Sequence, residues 1–191
     1  MERVLKRIGI AIVAFISVCL IIAIIIVNIK YNKYFKIIEL DMTEQYITDW
    51  GTVSINGAKI LNKDDFITEY TGVEPYIFDT DIYEEAGYMV IDTIFNVTDI
   101  DKYDDEWLKL WAIEADNGWS NGEDMLLSAF LNNNIKIVEN GIYELYCVYN
   151  MGIDSMSIGT FDKLYKLNYK VLINQNPIVY YKLDINIWNW D

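Results

Sequence analysis

Two hydrophobic rhythms divide the chain. From Ile8 to Ile29 apolar residues follow one another almost without a break, and up to Val27 only Ser17 and Cys19 interrupt them. About 20 such residues suffice for a helix to cross roughly 30 Å of hydrocarbon. Backbone groups in lipid must pair within the segment, so the run predicts a helix despite its β-branched isoleucines. Past residue 40 the period drops to two. Val53 and Ile55 alternate with Thr52 and Ser54, and Tyr143, Leu145, Cys147 and Tyr149 share one face of a second run. Tyr165, Leu167, Tyr169, Val171 and Ile173 alternate with Lys166, Asn168, Lys170 and Leu172. Val179, Tyr181, Leu183, Ile185 and Ile187 repeat the pattern after Pro177. Alternation of this kind marks half-buried strands.

Residues 88–95 are β-branched and aromatic, apolar on both faces except at Asp92 and Thr93, which predicts a central strand. Residues 108–114 predict another. Asn56-Gly57, between two apolar runs, predicts a tight hairpin turn. Residues 66–71 read as a short strand or helical turn, Gly72 and Pro75 as a turn, and residues 117–122 as a turn around Trp119. Residues 124–132 read as a short helix capped by Asp124, with Met125, Leu126, Leu127 and Phe130 apolar. About seven strands and no long amphipathic helix predict a mainly β chain: an immunoglobulin-like β-sandwich preceded by one N-terminal transmembrane helix. The boundaries are a basic flank at 1–7, the membrane helix at 8–29, a stalk at 30–44 and the sandwich at 45–191. The Cys–Trp–Cys mark of true immunoglobulin domains is absent.

Charge sharpens this division. Residues 1–36 hold Arg3, Lys6, Arg7, Lys30, Lys33 and Lys36 against Glu2 alone. The other nine basic residues therefore face 28 of the chain's 29 acids, and the whole carries −14. Such a domain repels nucleic acid and anionic headgroups, and it favours cations, basic peptides or a cationic wall polymer. The basic flanks on the two sides of the apolar run balance, so the positive-inside count is tied. The free amino terminus favours a cytoplasmic N-terminus with the domain outside. The run exceeds the core of a secretory signal and no small-x-small site follows it, which predicts an uncleaved signal anchor. Val18 before Cys19 departs from a lipoprotein cleavage site. Cys147 stands alone in the domain, so no intradomain disulfide forms, in keeping with a bacterium or a reducing compartment. The chain has no histidine, which removes Ser-His-Asp and Cys-His catalysis and His-ligated metals.

The anchor, the segment from Trp50 to Lys59, the strand ending in Phe95-Asn96-Val97-Thr98, the Gly118-Trp119-Ser120-Asn121-Gly122 turn and the closing strands together resemble a bacterial family. Its members are uncharacterised membrane-anchored cell-envelope proteins of clostridia and related Gram-positive bacteria. The resemblance implies an immunoglobulin-like domain and an envelope location, and it brings no catalytic residues.

Candidate chemistry is sparse. Asp99, Asp101, Asp104 and Asp105 form the densest carboxylate cluster, and clustered loop carboxylates can supply the six to eight oxygens calcium takes. The glycine and closing glutamate of an EF-hand are missing, so calcium is the single cofactor weighed and a solvated acidic loop is the plainer reading. Asp79, Asp81, Glu84 and Glu85 form a second acidic loop. Of six tryptophans, Trp50, Trp107 and Trp111 are expected in the core. Trp119, Trp188 and Trp190 are expected at the surface as a binding face. Cys147 reads as an inert core thiol. The function expected is a single-pass membrane-anchored envelope protein, a non-enzymatic binding module for a protein or wall polymer. The alternatives are a structural accessory subunit of a membrane complex and a carboxylate-based envelope hydrolase.

Overall fold

The apolar run lies in one helix, α1 (Glu2–Tyr31). The structure is a computed structural model that describes residues 2–31, 36–77, 87–104, 111–152, 163–175 and 177–187. The side chains of residues 2–12, 14, 186 and 187 lie outside that description. Every described side chain of α1 is exposed, with its large apolar residues running from 42% exposed at Tyr31 to 74% at Ile29. Ser17 donates to the Val13 carbonyl at 3.0 Å, the local bond open to a hydroxyl inside a helix. Among the described residues, no helix is long and apolar enough to cross a membrane.

The rest of the chain is mainly β. The described strands are β1 (Ile37–Leu40), β2 (Tyr46–Ile47), β3 (Gly51–Asn62), β4 (Gly87–Val97), β5 (Ala112–Ala115) and β6 (Ser120–Gly122). They continue with β7 (Gly141–Asn150), β8 (Tyr169–Gln175), β9 (Ile178–Leu183) and β10 (Ile185–Ile187). Two short helices, α2 (Lys63–Glu69) and α3 (Met125–Leu131), interrupt them. One sheet runs β1-β9-β8-β5-β6 and the other β10-β3-β4-β7, with β2 added against β3. Pairing is antiparallel except for β1 with β9 and β10 with β3.

The two sheets share one core, so the fold is a β-sandwich. Val53, Ile55, Ile91, Phe95, Leu145 and Tyr149 from one sheet meet Ile113, Tyr169, Val171, Ile173, Val179 and Tyr181 from the other. Trp50, Phe95 and Trp111 form an aromatic column through it, with ring centroids 5.9 and 5.8 Å apart and Tyr103 edge-on to Trp50 at 5.1 Å. Trp50 and Trp111 are core residues as expected. Trp107 lies outside the described residues.

The first half of β4, residues 87–91, is buried on both faces for a definite reason. The strand's odd residues, among them Met89, Ile91 and Phe95, enter the shared core. Tyr88 and Val90 point the other way, into a second cluster with Leu61, Phe66 of α2, Leu127 of α3 and Val148. Two helices thus cover the outer face of this sheet, and the doubly apolar strand read from residues 88–95 is central.

Three expectations change. Asn56-Gly57 is not a hairpin turn: β3 runs straight through it, and the register against β4 shifts between Ile55 and Gly57. The extra residue is a β-bulge that reverses parity, so Val53 and Ile55 face inward before it and Ala58 and Ile60 after it. Asn56 is held there by a 2.8 Å bond from its side-chain amide to Asp92. Of the two readings of residues 66–71 the helical one holds as far as Glu69, in α2, whose cap Asn62 accepts the Asp65 N–H at 2.8 Å. The strand expected from Tyr165 begins only at Tyr169, because residues 164–166 form a single 3-10 turn. Finally, the alternation from Val179 to Ile187 covers two strands. β9 ends at Leu183, and β10 crosses to the other sheet to pair with β3.

Gly51 and Gly57 provide a test of this geometry. A Cβ on Gly51 would run into the Asn96 backbone carbonyl, whereas one on Gly57 would meet nothing within 4 Å. Gly51→Ala should therefore lower stability in urea denaturation by about 1–3 kcal/mol, the usual cost of forcing atoms into packed space. Gly57→Ala should change it by less than about 0.5 kcal/mol. Equal effects would show that the β3–β4 approach is misplaced.

Candidate functional site

A half-buried carboxylate that sequence reasoning passed over gives the domain its most distinctive chemistry. Glu123 follows β6, the edge strand of one sheet, and precedes α3, which lies along β7, the edge strand of the other. The helix starts here because Asp124 caps it, its carboxylate accepting the N–H groups of Leu126 and Leu127 at 3.1 and 3.0 Å. It stops because Asn133 and Asn134 both adopt positive φ, near 50°, a region asparagine tolerates better than most residues. That reversal brings Ile135 and Lys136 back across from the helix. Between them opens a cleft of about 260 Å³, walled by Met125, Ala129, Ile135 and Leu145, with Glu123 and Ser128 supplying polar groups.

The Glu123 carboxyl is hydrogen-bonded by the Ser128 hydroxyl and by the Cys147 thiol. Ser128 also accepts the Val148 N–H at 2.9 Å, which fixes its rotamer. Cys147 is fully buried between Glu123 and Thr93, whose own hydroxyl donates to the Leu145 carbonyl at 2.7 Å. Burial pushes the Glu123 carboxyl up to about 7. The bonds from Ser128 and Cys147 oppose that rise, and the neighbouring charge of Asp124 adds to it. Burial, with the Glu123 charge behind it, also holds the Cys147 thiol well above its ordinary value. Cys147 is thus a protonated donor, not a nucleophile, which agrees with the inert core thiol read from the alternation. The Tyr149 hydroxyl is buried in the same electrostatic neighbourhood without a hydrogen-bond partner among the described residues.

The residues singled out from sequence are placed elsewhere. Trp119 is half-buried, packs against the shared core and lies edge-on to Tyr169 at 6.5 Å. Its expected turn is a β5–β6 hairpin, with Gly118 at φ +87° donating to the Ala115 carbonyl at 3.0 Å. Trp188 and Trp190 lie outside the described residues. The Asp99 carboxylate accepts the Lys102 ammonium at 2.6 Å, while Asp101 and Asp104 are exposed. Asp105 lies outside the described residues, as do Asp79, Asp81, Glu84 and Glu85. Among the described residues no group of three or more acids or cysteines is placed to hold a metal ion. The only hint of Glu123 in the sequence is an acid lodged between a strand and a helix cap. Its partners come from α3 and β7 and are joined to it only by folding.

Fold and cleft together define a two-sheet β-sandwich protein with a carboxylate set into its lateral seam. No family model matches the chain, and no curated protein matches it. A solved structure similar to it is an uncharacterised β-sandwich protein from Clostridium difficile 630. The two are 12% identical, with a TM-score of 0.45, covering 78% of this chain and 96% of that one.

The raised Glu123 acidity makes stability depend on pH. Its folded value lies above the ordinary one, so between about 4.5 and 7 the folded state binds the extra proton, and this group's contribution falls as pH rises through 7. Relative to Glu123→Gln, the parent should lose on the order of 2 kcal/mol between pH 5 and pH 8 in paired denaturant titrations. Parallel curves would mean that Glu123 is ordinarily solvated. Ser128→Ala removes the acceptor of a buried N–H, so it should destabilise by about 1–3 kcal/mol and move the Glu123 transition to still higher pH.

Proposed function

We propose that the chain is a single-pass, membrane-anchored protein of the bacterial cell envelope. Its sandwich, immunoglobulin-like in general plan, is a non-enzymatic binding module for a protein or wall-polymer partner outside the membrane. The observation that carries this reading is α1. Its described apolar side chains are exposed along the whole of residues 15–31, and in sequence the apolar run extends back to Ile8. In water such a surface carries a large free-energy cost, of order 25 cal/mol for each Å² left uncovered, and hydrocarbon removes it. Binding rather than catalysis is supported by the absence of histidine and by the buried, protonated state of Cys147. A strongly acidic domain held close to a membrane suits a cationic partner.

Cell fractionation tests the anchor. The chain should stay with membranes through alkaline carbonate, and protease added to intact protoplasts should remove the domain and leave a short membrane-bound stub. Release by carbonate would sink the anchor, and a protected domain would reverse its orientation.

A further inference from the structure

We infer that the cleft beside α3 binds the ammonium of a lysine side chain presented by a polypeptide partner, with Glu123 as its counter-ion. This rests on the binding-module reading above and deepens it. Glu123 and Ser128 put hydrogen-bonding groups inside a cleft that Met125, Ala129, Ile135 and Leu145 line with apolar surface, with Asn132, Asn134 and Lys136 completing its wall. Once ionised, a carboxyl group in such a place carries a cost, because its charge is then held in a poorly solvated site without a cation. A purely apolar occupant would leave Glu123 unpaired, and a bare metal ion would leave the apolar walls unused. A methylene stem ending in a point charge satisfies both.

The lip points to a polypeptide rather than a free amine. Met125, Leu126, Ile135 and Val138 are 50–71% exposed on α3 and the irregular segment that follows it, an apolar margin on which flanking residues can rest. The Ser128 hydroxyl and the Cys147 thiol already act on the carboxyl from inside the fold. What remains suits a compact ammonium better than the bidentate fork of a guanidinium. The excess of acids over bases in residues 37–191 draws a basic segment toward the domain at long range.

The groups facing Glu123 set the pH response. They are Asp124 beside it, Ser128 from α3, and Cys147 and Tyr149 from β7, with Lys136 on the cleft wall. A lysine ammonium is charged throughout the neutral range, so it selects the ionised carboxylate. Since that carboxyl titrates near 7, affinity rises with pH and levels off above it. Lys136 opposes the incoming charge.

The test uses the full chain in detergent micelles and a short blocked peptide with one central lysine, compared calorimetrically with the same peptide carrying norleucine. Binding of the lysine peptide should tighten about tenfold from pH 6 to pH 8, as the ionised fraction of Glu123 grows. The norleucine peptide should bind at least tenfold more weakly at pH 8. Glu123→Gln should abolish both the pH response and the preference for lysine while remaining folded, and Lys136→Gln should tighten binding. Equal affinity for norleucine, undiminished binding by Glu123→Gln, or no binding at millimolar peptide would each overturn the assignment. The anchor stands or falls separately, by carbonate extraction. Equal recovery of a crosslinked partner by the parent and Glu123→Gln would overturn the cleft while leaving the binding module in place.

Discussion

Among the described residues β7 is the last strand of its sheet, and its outward N–H and C=O groups at residues 146, 148 and 150 have no strand there to pair with. Left open, such an edge recruits another chain. Here the segment from β6 through α3 satisfies it group by group. Asn132 both donates to and accepts from the Tyr146 backbone, each bond 2.8 Å long. Ser128 accepts the Val148 N–H, the Asp124 N–H donates to the Val148 carbonyl at 2.7 Å, and Asn121 donates to the Asn150 carbonyl at 2.7 Å. These bonds hold α3 at a fixed distance from the strand, and that distance creates the cleft. Glu123 lies on the same segment, so the device that closes the edge also inserts a carboxylate between the sheets.

The interior is tied by similar side-chain bonds to backbone. Tyr181 of β9 crosses the sandwich, donating to the Val53 carbonyl of β3 at 2.8 Å and accepting the Tyr46 N–H at 2.9 Å. Its hydroxyl would be costly to bury unbonded. Paired across the layers, it fixes how one sheet sits on the other. Thr93 does the same within one sheet, spanning β4 and β7.

How much of this could be read beforehand depends on where the determining contacts lie. β4, β7 and the Asp124 cap were legible because their signals are local: alternation in a strand, a side chain at a helix start. The Asn56-Gly57 reading failed because that pair serves a bulge as readily as a turn, and the choice is made by Asp92 on the neighbouring strand. The extent of β9 was overestimated because alternation continues unbroken through Asp184 while the chain changes sheets. Cys147 was correctly turned inward, but what it would meet there was invisible. Its partner Glu123 arrives from a different strand end, and one carboxylate among 29 acids carries no mark of its own until burial selects it. Residue type alone marks Trp119, Trp188 and Trp190 as a binding face. Trp119, beside a tight turn, is half-buried against the core and half at the surface.

The two parallel pairings have a consequence for the order of assembly. β1 lies against β9, with Ile37 opposite Ile178, and β3 receives β10, with Ala58 opposite Ile185. Each joins residues from opposite ends of the domain. The loop-closure entropy of these contacts must be met before they return any stabilisation, which slows folding. During synthesis neither pair can form until the last strands have left the ribosome. Until then the edges of β1 and β3 are open templates. The domain is therefore most prone to pair with a neighbouring copy of itself in the interval just before β9 and β10 appear.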